Sequence, residues 1–130
     1  MTDTVADMLT RIRNAAAIAE PHVDIPASKF KKALADLLVR EGYIKSVEAV
    51  TKDGHPALRI GLKYGPRRSS IINEIKRVSK PGRRAYYKSK AVPIIRGGLG
   101  LAVVSTSQGL MAGHEARRKN IGGEVICEVW

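Results

Sequence analysis

Leu99-Gly100-Leu101-Ala102-Val103-Val104 is an unbroken apolar run that leads directly into Ser105-Thr106-Ser107-Gln108-Gly109-Leu110-Met111. A short apolar run without alternation predicts a buried strand, which ties the fold to a sheet with this strand inside it. The buried strand then gives the hydroxyls just past its end a rigid base, as recognition sites require. Ser and Thr both donate and accept hydrogen bonds, so Ser105, Thr106 and Ser107 suit phosphate oxygens, ribose hydroxyls or base edges. They equally suit a helix start, with Thr106 or Ser107 capping a segment that begins near Met111.

Charge narrows the function. The chain of 130 residues carries a net charge of +11, unevenly spread. Residues 1–62 hold 9 Lys/Arg against 8 Asp/Glu, residues 97–130 hold 3 against 3, and residues 63–96 hold 11 against 1. An excess confined to one stretch calls for a polyanion on one face. A charged tail is the bland alternative, but Ile71, Ile72, Ile75, Val78, Tyr86, Tyr87, Val92, Ile94 and Ile95 run through the stretch, too many for a segment that buries nothing. Nucleic acid fits better than a membrane surface, because no long apolar span or basic amphipathic helix is present in the sequence. The N-terminus carries Asp3 and Asp7 and no apolar signal core, which predicts a cytoplasmic protein.

Hydrophobic periodicity orders the rest. Asp3 is a good N-cap, and Val5, Met8, Leu9 and Ile12 follow at helical spacing, with Asp7 and Arg11 set to pair four residues apart. Arg13 and Asn14 lie on the outer face of that helix. His22 to Pro26 reads as a short strand, and a second helix is predicted from Ser28, with Phe30, Ala33, Leu34, Leu37 and Leu38 as its stripe and Gly42 just past its end. Lys29, Lys31 and Lys32 crowd its first turn against the helix dipole, a conflict that a phosphate would relieve. Tyr43 to Val50 and the alternating Leu58, Ile60, Leu62 and Tyr64 read as two strands joined at Asp53-Gly54. Gly65-Pro66-Arg67-Arg68-Ser69-Ser70 is a basic turn or linker and the best position for a lobe boundary. By period alone, Ile71 to Val78 fits a strand or a short helix, and Pro81-Gly82 turns the chain into a predicted strand Arg83-Arg84-Ala85-Tyr86-Tyr87-Lys88. A short helix is expected from near Met111 to Asn120, with Glu115 facing Arg118 and Lys119 and Gly122-Gly123 closing it, before a last strand to Trp130.

Catalytic and metal chemistry find little support. Cys127 is the single cysteine, so neither an internal disulfide nor a thiolate zinc cluster is expected. It reads as a small core hydrophobe beside Val125 and Val129 on one strand face. His22, His55 and His114 are widely separated, and no metal or other cofactor is expected. Gly97-Gly98-Leu99-Gly100 lacks both the third glycine of a dinucleotide loop and the Gly-Lys-Ser/Thr of a phosphate loop, so these glycines serve close backbone approach. An enzyme using Cys127 with His114, or a hydroxyl of the Ser105 loop, would need a positioned base and an orienting group that the sequence does not offer.

Asp3-Thr4-Val5-Ala6-Asp7-Met8-Leu9-Thr10-Arg11-Ile12-Arg13-Asn14-Ala15, the Ser105 to Met111 stretch and Gly122-Gly123-Glu124 with Cys127 together closely resemble the bacterial family of the eighth protein of the small ribosomal subunit. Pro26-Ala27-Ser28-Lys29, Arg77 to Gly82 and Gly98-Leu99-Gly100 extend the resemblance along essentially the whole chain. It implies an α+β protein of two small lobes, without catalysis. Residues 1–65 would form an N-terminal lobe of helix, strand, helix, strand and strand. Residues 66–130 would form a C-terminal lobe, mainly antiparallel strands with a short helix, carrying the main RNA-binding loop. The implied function is primary binding of small-subunit ribosomal RNA in its central domain, in support of assembly, with small-subunit protein five as neighbour. The loop of Ser105, Thr106, Ser107 and Gly109 would enter an irregular minor-groove surface of one RNA stem. Arg83, Arg84, Tyr86 and Lys88, from the basic and aromatic interleaving, are read as further RNA contacts, with Arg83 and Arg84 on phosphates. Thr4, Arg13, Asn14, Lys29, Lys31 and Lys32 would hold a second RNA helix. Two positions depart from the family pattern: Thr4 replaces a proline, and Ala112-Gly113 replaces a Thr-Asp pair that would cap a helix. A general nucleic-acid binder with no defined target is the remaining alternative. On the recognition reading, Thr106→Ala and Ser107→Ala would each weaken RNA binding and leave stability nearly unchanged.

Overall fold

A computed structural model describes residues 4–130, so the proposed cap at Asp3 lies outside the described residues. The protein is α+β, and its chain divides into two compact units, Thr4–Ile72 and Asn73–Trp130.

The first unit contains α1 (Thr4–Ala17), β1 (His22–Pro26), α2 (Lys29–Arg40), β2 (Ile44–Lys52) and β3 (His55–Leu62). Its three strands are antiparallel in the order β1-β3-β2. Met8, Leu9 and Ile12 are buried on α1, and Asp7 and Arg11 form the expected surface pair at 3.1 Å. Helix α2 starts where Ser28 accepts a hydrogen bond from the Lys31 N–H at 3.1 Å, a cap worth about 1 kcal/mol. It stops at Glu41, after which Gly42 takes φ +84°. The buried stripe of α2 differs from the predicted one: Ala35 is inside and Ala33 outside, and Lys31 joins Leu34, Leu37 and Leu38. Strand pairing sets Ile25, Leu58 and Ala49 in one row and Asp24, Arg59 and Glu48 in the next, so the two rows point to opposite faces. On the second face the Arg59 guanidinium grips the Asp24 carboxylate with two bonds, at 2.9 and 3.1 Å, and Lys52 stands 3.5 Å away. The Arg59 hydrogen bonds hold the Asp24 carboxyl below its usual range, against the opposing effect of burial.

The second unit is built on a five-stranded sheet of β4 (Ile75–Arg77), β5 (Tyr86–Tyr87), β6 (Leu101–Thr106), β7 (Gly109–Ala112) and β8 (Gly123–Val129). The order is β4-β8-β6-β7, with β5 paired to the start of β8. The central strand is the apolar run, shifted by two residues. Leu99 is 87% exposed in a turn where Gly97 and Gly98 take positive φ, and the strand begins only at Leu101. Gly100 is the close-approach residue, since a Cβ there would sit 2.9 Å from the Val129 carbonyl oxygen. Val104, Met111 and Val125 lie in one row across β7, β6 and β8 and join Val92, Ile95, Ala102 and Ala116 of α3 (Gly113–Arg118) in a buried cluster. Cys127 and Val129 are buried as expected, but Val125 does not share their face: a bulge in β8 pairs Cys127 with Val103 and Val125 with Val104, neighbours on β6 whose side chains point to opposite faces.

Three local expectations change. The chain after Ser105 is not a helix start: Val104 pairs with Met111, Ser105 with Leu110 and Thr106 with Gly109, a ladder that carries the backbone to Ala112 as strand. Helix α3 therefore begins at Gly113, with Ala112 at its cap and no side-chain cap bond. It is closed by Asn120 in the left-handed region, φ 57°, and not by Gly122-Gly123. Those two glycines are required by contact, because a Cβ on Gly122 would strike the Tyr87 carbonyl oxygen and one on Gly123 the Ser105 carbonyl oxygen. The predicted strand Arg83–Lys88 shrinks to Tyr86–Tyr87, which pair with Glu124 and Gly123, while Arg83 is drawn into a tight turn with Lys80.

Candidate nucleic-acid interface

The hydroxyl cluster forms the tip of the β6–β7 hairpin. Ser105 and Thr106 are the last residues of β6, Ser107 and Gln108 make the turn, and Gly109 at φ +103° returns the chain. Thr106 braces this turn from inside: its Oγ1 donates to the Gly109 carbonyl at 2.8 Å and accepts the Gln108 N–H at 3.0 Å. Ser107 is exposed, and among the described residues its hydroxyl has no protein partner. The two neighbouring hydroxyls therefore differ in what they are free to do. Thr106 shapes the loop, and Ser107 is presented by it.

The same sheet carries the predicted aromatic and basic residues, with β8 between β5 and the hairpin. Strand pairing sets Tyr86, Glu124, Ser105 and Leu110 in one row on one face. Tyr86 is 70% exposed, so its ring is open for stacking. Lys88 and Arg83 are exposed, while Arg84 donates to Glu124 Oε2 at 3.1 Å. Glu124 also accepts from the Ser79 hydroxyl, and Ser79, fully buried, accepts the Ala85 N–H at 3.2 Å. This carboxylate thus holds β5 and its approach in place and uses part of the Arg84 fork. Beside it lies a shallow groove of about 490 Å³, lined by Tyr86, Tyr87, Lys88, Ser89, Asn120, Gly122 and Gly123, with Ser89 donating to Asn120 at 2.8 Å.

The sites expected in the first unit are less uniform. Thr4, Arg13 and Asn14 are exposed along α1, and Lys29 is exposed at the start of α2. Lys31 is buried and its ammonium donates to the Pro26 carbonyl at 3.3 Å, so it is not presented at that turn. Lys32 pairs with Asp36 at 2.7 Å. The predicted crowding of three cations is relieved within the protein.

A family profile described as Ribosomal protein S8 matches residues 3–130. The chain belongs to the ribosomal protein S8 family. Among its relatives, the small ribosomal subunit protein uS8 of Thermus thermophilus is 51% identical, covering 100% of this chain and 99% of its own. The uS8 protein of Deinococcus deserti is 54% identical over 100% and 99%, and that of Moorella thermoacetica 50% identical over the full length of both. Membership makes this chain a structural constituent of the small ribosomal subunit in a family without enzymatic activity.

Cys127 is fully buried and burial pushes its thiol up to about 12, so it holds its proton and meets no substrate. Among the described residues no group of three His, Cys, Asp or Glu side chains is placed to hold a metal, and no helix is long and apolar enough to cross a membrane. Sequence reasoning did not find the Ser79–Glu124–Arg84 support, because its members are 5 and 40 residues apart in the chain and only the β5–β8 pairing unites them.

Proposed function

We propose that the chain binds the central domain of small-subunit ribosomal RNA and supports assembly of that domain, residing on ribosomes in the cytoplasm. The observation that carries this reading is the braced hairpin that presents Ser107 in the same unit as exposed Tyr86, Lys88 and Arg83. A free hydroxyl on a rigid tip suits the shallow minor groove of an RNA helix, where ribose hydroxyls and base edges are displayed. Arg83 and Lys88 supply phosphate contacts, Tyr86 a stacking face, and Arg84 one share of each role alongside its bond to Glu124. Gly109 gives the turn its shape. Thr4, Arg13, Asn14 and Lys29 form a second contact with RNA from the first unit, and small-subunit protein five is the protein neighbour. Chemical footprinting of complete small-subunit RNA with the purified chain tests this. Protection confined to one irregular stem and a second helix of the central domain is expected, and uniform protection of unrelated stems would overturn it in favour of a general nucleic-acid binder.

A further inference from the structure

A strained, basic turn in the first unit lies outside the site described above. Tyr64 and Ser70 bridge as an antiparallel pair, the Gly65 N–H donates to the Ser69 carbonyl at 2.8 Å, and the Ser69 N–H donates to the Pro66 carbonyl at 3.2 Å. The turn so closed has Arg67 and Arg68 at its two central positions, at φ 58° and 57°. Two successive positive φ values are those of a type I′ turn, for which Asn-Gly is the favoured pair because a larger side chain presses on the backbone. Nothing in the turn's own hydrogen bonding calls for arginine. Both side chains are exposed, and among the described residues neither guanidinium has a hydrogen-bond or ion-pair partner.

Backbone held in such a region persists only where its surroundings impose it, and it concentrates at functional sites. Here the surroundings are rigid. The Ser69 hydroxyl donates to the Pro66 carbonyl at 2.9 Å, and at the base of the turn the Tyr64 hydroxyl donates to the Glu20 carbonyl, just past α1. Burial pushes the Tyr64 phenol up, so the donating proton is retained.

We propose that Arg67 and Arg68 form a further phosphate-binding site for RNA, carried by the first unit and separate from the β6–β7 hairpin. The proposal rests on the RNA-binding reading above. Planar guanidinium forks match phosphate oxygens two at a time, and a preformed turn lowers the cost of ordering them. An acidic protein surface is the competing occupant. RNA is favoured because Arg67 and Arg68 belong to the stretch 63–96, whose 11 Lys/Arg face a single Glu, Glu74.

The test uses the full chain with Arg67→Asn and Arg68→Gly combined, and separately with Arg67→Gln and Arg68→Gln, bound to complete central-domain RNA over a range of salt. The Asn-Gly pair suits the turn better than arginine, so that variant is expected to unfold at the same or a higher urea concentration. Its RNA affinity at low salt is expected to fall about tenfold, and the slope of log affinity against log salt to become shallower by about 1 to 2. The glutamine pair should show the same loss. Affinity and slope unchanged in both variants would overturn the proposal and leave the arginines to a protein partner. Failure of the unmodified chain to bind this RNA would overturn the RNA reading, and the proposal with it.

Discussion

At the scale of single residues, the hydroxyl cluster divides by what each oxygen already does. Thr106→Ala removes a donor and an acceptor that brace the hairpin, so it is expected to cost about 0.5–1.5 kcal/mol of folding stability as well as RNA affinity. Ser107→Ala removes no protein hydrogen bond and is expected to leave the urea midpoint in place while weakening the cognate complex by about 1–3 kcal/mol. Unfolding and RNA titration of both variants check the pair, and a lowered midpoint for Ser107→Ala would contradict its assignment to the ligand. Cys127 offers a second measurement. With its thiol pushed up to about 12 and fully buried, it is expected to resist alkylation at pH 8 in the native protein and to react fully in urea, as read by mass spectrometry.

At the scale of elements, cross-strand partners decide stability. Asp24 on β1 and Arg59 on β3 face each other, and the Arg59 bonds hold the Asp24 carboxyl below its usual range. A depressed folded value means that the pair stabilises the protein above the unfolded pKa of about 4 and loses that contribution as pH falls through the folded value. The urea midpoint of Asp24→Asn is therefore expected to lie below that of the parent at pH 7 and to converge on it below about pH 4. A constant difference across that range would show that the charge of Asp24 is not what the pair uses. In the second unit the same logic is visible in Glu124, which accepts from Ser79 and Arg84 and so fastens β5 to β8 beside the hairpin.

For the whole molecule, net charge of +11 governs how it meets RNA. Log affinity is expected to fall linearly with log salt by several units, at about 0.7 to 0.9 per phosphate contacted. Arg83→Glu should weaken binding to all RNAs alike, because phosphate contacts carry little sequence information. Competition binding against unrelated RNAs checks this, and a change confined to the cognate stem would assign Arg83 to base or groove recognition.

Local and periodic features were legible in the sequence because they depend on neighbours in the chain. The spacing of Met8, Leu9 and Ile12, the cap at Ser28, the stop at Gly42 and the turn at Asp53-Gly54 each follow from a few adjacent residues, and each was found where the pattern placed it. Pairing partners were not legible. Whether Thr106 or Ser107 caps a helix or turns a hairpin is decided by Met111 and Leu110 finding Val104 and Ser105 across the ladder. That Lys31 turns inward is decided by the Pro26 carbonyl, and that β5 is two residues long is decided by the Lys80–Arg83 turn before it and the β8 residues it meets. Hydrogen-bond ladders and buried contacts join residues far apart in the chain, so only the tertiary structure determines which predicted side chains remain free for a ligand.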